Sequence, residues 1–215
     1  MRILVINPNS TAAMTTHVAK QLKIHLEPQA HILQRTATNG PPVIATQQAF
    51  DEAAQLASAV LKKTQHEGEL FDKVLLACFG DPGIEAMGLI TKQPVVGLAR
   101  ASMEVAEHMN KPYSVVTAGT AWEAILVQCF KQWGASGLFR GVQVMGGTGL
   151  DVFNNPLAAL PAVQRAITTA RLAGAENIIL GGAVFAGYKS LMQDSSIDTH
   201  GLLDCVECAA EALMR

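Results

Sequence analysis

The sequence predicts an α/β fold of two similar lobes. Each lobe is a mostly parallel sheet flanked by helices, and a pseudo-twofold relates them, with the site in the cleft between. Three observations carry this expectation. Short apolar runs alternate with segments whose apolar residues recur every three or four positions, the marks of strands and helices in turn. The 215 residues are 49% hydrophobic and only 16% charged, enough to bury a large core as one long domain or two small lobes. Finally, the two halves of the chain repeat the same order of units.

Arg2–Ile6 reads as a buried strand, broken by Asn7-Pro8-Asn9-Ser10-Thr11, where Asn9 or Ser10 can cap the helix that follows. Met14, Val18, Leu22 and Leu26 form that helix's stripe, and His31–Arg35 is a second strand. Thr36–Ile44 is a loop, given its glycine and paired prolines. Phe50, Ala54, Ala57 and Leu61 mark a helix leading to the strand Val74–Ala77. A short helix near Ile84–Ile90, the strand Pro94–Leu98 and a helix through Met103, Ala106 and Met109 complete the half.

Tyr113–Thr117 is the next strand, and Trp122, Ile125, Leu126, Cys129, Phe130 and Trp133 follow helical spacing as a core stripe. Gly141–Val144 is a strand, and Met145–Pro156 a loop rich in glycine and asparagine. Leu160, Val163, Ile167 and Ala170 mark a helix, Asn177–Leu180 a strand, and Leu202, Val206, Ala209 and Leu213 the last helix.

KVLLACFG (73–80) aligns with NIILGGAV (177–184), which sets Cys78 opposite Gly182 at an offset of 182 − 78 = 104. The same offset matches Gly97-Leu98 with Gly201-Leu202, and ILVINPNS at the start aligns less tightly with SVVTAGTA. The first lobe is accordingly drawn as residues 1–98 plus 201–215, with the last helix returning to it, and the second as 99–200.

The formal net charge is −2, with Lys and Arg scattered, so neither a nucleic-acid footprint nor a polybasic membrane patch is expected. MRILVINPNST lacks the pattern of a signal peptide, and the glycine-rich stretch Ile178–Tyr188 is too short to span a bilayer. The expectation is a soluble, cytoplasmic protein acting on a small molecule. Cys78, Cys129, Cys205 and Cys208 are too few for a disulfide scaffold and are expected as free thiols. Cys205 and Cys208 have CxxC spacing without a second pair, so no metal site is expected. Gly146-Gly147-Thr148-Gly149 does not match a dinucleotide fingerprint.

Chemistry concentrates at Cys78. A buried strand delivers this thiol to a loop of Phe79, Gly80, Asp81, Pro82 and Gly83. That carboxyl end is where open α/β sheets bind ligands. Backbone donors and a helix N-terminus lower a thiol's pKa, and the thiolate is the reactive form. Asn7, Asn9 and Ser10, at the first strand's end, and Thr117 and Thr120, at the matching point of the second lobe, are candidate substrate contacts. The backbone N–H groups of Phe79, Gly80 and Ala183 can form an anion nest. Asn9, Ser10 and Thr120 also read as helix caps, and Asp81 as either a cap or a base. Cys129 reads as a structural thiol.

INPNST (6–11), ACFGDPG (77–83), PVVGLARASM (94–103), SVVT (114–117) and ENIILGGAVFAG (176–187) resemble the aspartate/glutamate/hydantoin racemase superfamily. The pattern is most similar to its hydantoin and allantoin racemase branch. The resemblance implies a cofactor-independent racemase, commonly a homo-oligomer, acting at the α-carbon of a hydantoin, allantoin or amino-acid-like substrate. In such enzymes two cysteines flank the stereocentre; one thiolate removes the α-proton and the other thiol returns a proton from the far side. No metal or pyridoxal phosphate is implied.

Two departures stand out. The family's second motif reads I-V-L-G-C-A-G, and the residue here at its cysteine is Gly182. Many relatives also carry a glutamate soon after the Gly-Pro pair, where this chain has Pro42-Val43-Ile44-Ala45. Three readings of Gly182 remain open. Another group or a water supplies the second proton, with Lys189, Tyr188 and Cys205 nearest along the chain. Or the reaction is one-sided, in the mirror arrangement of the arylmalonate decarboxylases. Or only ligand binding is retained.

Overall fold

Two four-stranded parallel sheets organise the structure, a computed structural model that describes residues 1–215. The first holds β1 (Arg2–Asn7), β2 (His31–Thr36), β3 (Lys73–Leu76) and β4 (Val95–Gly97) in the order β2-β1-β3-β4. The second holds β5 (Tyr113–Ala118), β6 (Phe139–Met145), β7 (Asn177–Leu180) and β8 (Leu202–Asp204) in the order β6-β5-β7-β8, the same permutation. Helices α1 (Ala12–Ile24), α2 (Gln47–His66), α3 (Ile84–Ile90) and α4 (Leu98–His108) connect the first sheet and leave it. Helices α5 (Trp122–Gln132), α6 (Gly149–Asn154), α7 (Pro156–Leu172), α8 (Tyr188–Asp194) and α9 (Cys205–Met214) belong to the second half. This is the expected fold class.

Burial on both faces of each sheet explains the unbroken apolar strand runs. In β1, Ile3 and Val5 enter the large core that also holds Val115, Ile178 and Ile179 of the second sheet. Leu4 and Ile6 point the other way, into a smaller cluster with Leu61, Leu76 and Met87. The lobes are therefore joined by one core. Two helices cross between them: α4 packs on β7 and β8 as well as on β4, α9 packs on β3 and β4 as well as on β8, and the two pack on each other.

Three expectations need correction. Leu202–Asp204 is a strand paired with β7 in the second sheet, so only α9, not the whole of 201–215, returns to the first lobe. The stretch expected as the loop Met145–Pro156 contains α6, because Thr148 and Asp151 form a reciprocal capping box at its start. The repeat also changes offset. Leu76 and Leu180 sit at equivalent places (180 − 76 = 104), but their edge-strand partners are Gly97 and Asp204 (204 − 97 = 107). Gly97 thus corresponds to Asp204, not to Gly201. On the other side Leu76 pairs with Ile6 and Leu180 with Val116, an offset of 116 − 6 = 110. The alignment of ILVINPNS with SVVTAGTA is therefore one residue out of register, and Asn7 corresponds to Thr117.

Candidate active site

Cys78 lies two residues beyond the pair Ile6–Leu76, and Gly182 two beyond the pair Val116–Leu180. Both sheets deliver their carboxyl ends to one inter-lobe cavity of about 60 Å³. The first lobe contributes Asn9, Met14, Val43, Ile44, Ala77, Cys78 and Phe79; the second contributes Thr117, Ala118, Trp122, Gly149, Gly181, Gly182, Ala183 and Val184.

Local structure explains how Cys78 arrives there. The Ala77 N–H extends the β1 ladder through a 2.8 Å bond to Ile6 O, and the chain then turns, with Asp81 N–H bonded to Cys78 O at 3.1 Å. The Cys78 side chain continues the parity of Val74 and Leu76 and packs with Ile44 and Ala53. Only 7% of the residue is exposed, and its thiol's one hydrogen bond is a weak 3.8 Å donation to Phe79 O. The expected lowering of the Cys78 pKa by backbone donors needs correction: no N–H donates to its sulfur, and burial first, then the nearby Asp81 and Cys129, push the thiol well above the usual range. The backbone N–H groups of Phe79, Gly80 and Gly182 donate to no protein acceptor.

Asp81 is a cap, and the helix it caps is α4. Its carboxylate accepts the N–H groups of Ala99 (3.0 Å) and Arg100 (2.7 Å), and burial pushes its pKa up to about 7 against those two bonds. Gly97 makes this possible, since a Cβ there would overlap the Asp81 carboxylate.

The other expected contacts divide. Asn9, Phe79, Thr117, Gly182 and Ala183 line the cavity with Cys78. Asn7 does not; it is fully buried, and its side chain binds Asn9 Oδ1 (2.8 Å), Thr15 Oγ1 (3.0 Å) and the Asn9 N–H (3.1 Å), so it orients Asn9. Ser10 is tied by its N–H to Pro41 O at 2.9 Å, and Thr120 is exposed outside the cavity. Gly80 stands behind the thiol, where its carbonyl accepts the Cys129 thiol at 3.7 Å. Neither Ser10 nor Thr120 caps a helix: the α1 and α5 N-caps are Thr11 and Ala121. Cys129 is buried in the core, and burial raises its pKa to about 11.

Sequence reading assigned Trp122 and Met14 to core stripes alone, yet both reach the cavity wall, and the Trp122 indole N–H anchors the Ile44 carbonyl at 3.1 Å. The available signal was position: each opens the helix that follows a strand's carboxyl end. None of the three neighbours of Gly182 along the chain reaches the cavity. Tyr188 bonds Val152 O (3.0 Å), Lys189 pairs with Glu207 (2.8 Å), and Cys205 is fully buried with its thiol on Gly182 O at 3.5 Å. No group of three or more His, Cys, Asp or Glu side chains is placed to share a metal ion, and no helix is long and apolar enough to cross a membrane.

The family model "Asp/Glu/Hydantoin racemase" matches residues 3–213. The chain belongs to the Asp/Glu/hydantoin racemase family. Among its relatives, a hydantoin racemase of Paenarthrobacter aurescens is 31% identical over 196 residues, covering 90% of this chain and 82% of that protein. An allantoin racemase from Klebsiella pneumoniae superposes with a TM-score of 0.87 at 26% identity, covering all of this chain and 86% of that one. The allantoin racemase from Pseudomonas fluorescens gives 0.85 at 28% identity, covering 100% and 91%.

Within this racemase-family chain, the backbone at position 182 favours glycine. Its φ of +152° and ψ of 141° lie where side-chain-bearing residues are strained, and a Cβ would sit 3.3 Å from the Phe185 ring.

Proposed function

We propose that this chain is a cofactor-independent racemase acting at the α-carbon of a small, uncharged, hydantoin-like substrate, with the Cys78 thiolate as its base. The carrying observation is that Cys78 is the one titratable side chain among the residues lining the inter-lobe cavity. The named activities of the hydantoin and allantoin racemase relatives support the reaction class. The wall supports the substrate class. With no Lys, Arg, His, Asp or Glu on it, a zwitterionic amino acid would leave both its charges unpaired in a buried site. A neutral ring needs only hydrogen bonds, and the carbonyl beside its α-carbon already acidifies the proton.

In this reading Cys78, held as a neutral thiol by its burial, first gives its proton to water as substrate enters; the S⁻ then takes the α-proton and becomes a thiol again, and the C–H electron pair moves into the ring carbonyl as an enolate. The unengaged N–H groups of Phe79 and Gly182, both on the cavity wall, are suited to stabilise that oxygen. Gly182 takes the place of the second thiol in the family pattern and offers no proton. Protonation from the far face then uses water, and the resulting hydroxide recovers the proton from Cys78 to restore the thiolate. Return of the proton by Cys78 itself regenerates the original enantiomer.

The test is incubation with single-enantiomer 5-methylhydantoin, or allantoin, in D2O, followed by NMR and circular dichroism. Loss of optical activity with deuterium at the α-carbon is expected. Exchange with full retention keeps Cys78 as base and overturns the racemase outcome. Binding without exchange overturns catalysis and leaves a ligand-binding protein.

A further inference from the structure

Beside the cavity over Cys78 lies a second chamber of about 360 Å³, and Val184 belongs to the walls of both. Val184 stands in the 3₁₀ turn Ala183–Phe185 and is 9% exposed. Its two methyl groups are wedged between bare glycines. One lies 3.5 Å from where a Cβ on Gly182 would be, the other 3.5 Å from where a Cβ on Gly149 would be. Both glycines line the smaller cavity.

The larger chamber is walled by His17, Phe153, Pro156, Tyr188 and Leu191, with Gln21 at one side. Its polar atoms are mostly engaged already. The His17 Nε2 pairs with Ala186 O at 2.8 Å, the Tyr188 hydroxyl donates to Val152 O at 3.0 Å, and the Gly187 N–H donates to Asp204 at 2.7 Å. His17 meets Phe153 edge to face. What remains toward the space is aromatic and aliphatic surface with the Gln21 amide at one side, and no Lys, Arg, Asp or Glu lines it.

We propose that Val184 sets the substituent-size limit of the site: it closes the cavity over Cys78 from an adjoining chamber fitted to an aryl group, so the natural substrate carries a small substituent at its α-carbon. This rests on the reading of the cavity as the substrate site. A pocket wall of this kind discriminates by about 10- to 200-fold per methylene-sized difference.

The experiment measures α-proton exchange in D2O for 5-methyl-, 5-isopropyl- and 5-benzylhydantoin, with binding of each followed through fluorescence of the cavity residue Trp122. Wild-type protein is compared with Val184→Ala, Val184→Thr and Gly149→Ala. Val184→Ala is expected to raise the benzyl-to-methyl preference at least tenfold. Val184→Thr, which keeps the branched shape, is expected to leave it unchanged. Gly149→Ala adds a methyl at ordinary contact distance from Val184 and Val43, 3.5 and 3.7 Å, and is expected to lower the isopropyl-to-methyl preference. Exchange at an unchanged benzyl-to-methyl ratio in Val184→Ala overturns this proposal and leaves the racemase reading standing. Absent exchange, with binding preferences that still shift in Val184→Ala, overturns the racemase reading and leaves the size limit standing.

Discussion

After β3 the chain turns through Cys78, Phe79 and Gly80 to Asp81; after β7 it turns through Gly182 into the short 3₁₀ segment Ala183–Phe185. The two turns occupy the same place in their sheets and are tethered from opposite ends. In the first lobe the acid is on the turn, where Asp81, at φ +53°, reaches forward to the N-terminus of α4. In the second lobe the acid is the last residue of β8, just ahead of the helix. Asp204 caps α9 by accepting the Val206 N–H at 2.8 Å and reaches back to the Gly187 N–H at 2.7 Å. Gly97 and Asp204 are register equivalents, so the same sheet position holds an acid in one lobe and must be bare in the other. Both arrangements place a buried carboxylate at a helix N-terminus, where unpaired N–H groups and the helix dipole favour it. What the lobes share is the tether; what differs is the residue that supplies it, and whether the turn carries a thiol or nothing.

The largest expected effect separates the thiols. Cys78→Ser should slow α-proton exchange by about 10²- to 10⁴-fold, the usual share of a positioned base. Cys205→Ser, behind the Gly182 backbone, should change it less than about twofold. Equal losses in the two variants would mean that the second lobe, too, contributes a thiol.

Next come the tethers. Asp81→Asn and Asp204→Asn each set an amide N–H against a backbone N–H, and each should cost about 1–3 kcal/mol in urea unfolding. They should differ at the thiol. The Asp81 charge raises the Cys78 pKa, so Asp81→Asn should move the pH profile of Cys78 alkylation, read by peptide mass spectrometry, to lower pH. Asp204→Asn should leave that profile in place. A shift in neither would reduce Asp81 to a cap alone.

The effect confined to stability, with no change at the thiol, concerns the bare turn. Gly182→Ala adds no polar group but forces a residue with a Cβ into φ +152°, and should cost about 1–3 kcal/mol by thermal or urea unfolding. The same strain acts against a cysteine introduced there. A neutral result would show that this turn accepts side chains.

Much of this was readable before the fold was known, for identifiable reasons. Strands such as Val74–Ala77 and Asn177–Leu180 announce themselves because both sheet faces are buried, which leaves apolar runs bounded by glycine. The β8 strand did not, because Leu202 also fits the apolar spacing of the helix that follows it, with Val206, Ala209 and Leu213. The cavity was half legible. A strand end marks where Asn7, Asn9, Thr117 and Thr120 lie, but not which of them faces inward. Asn7 turns to Thr15 and Thr120 to solvent, while Trp122 turns in.

The chain's local chemistry settles the alternation of strand and helix and the delivery of Cys78 to a strand's carboxyl end, since periodicity and turn residues act over a few positions. Packing of the two lobes settles the rest: Asp81 as the cap of α4, a cavity wall without charge, and Val184 between two chambers. Those features depend on contacts between segments as far apart as His17 and Ala186, 169 residues along the chain, and no local pattern encodes where such segments meet.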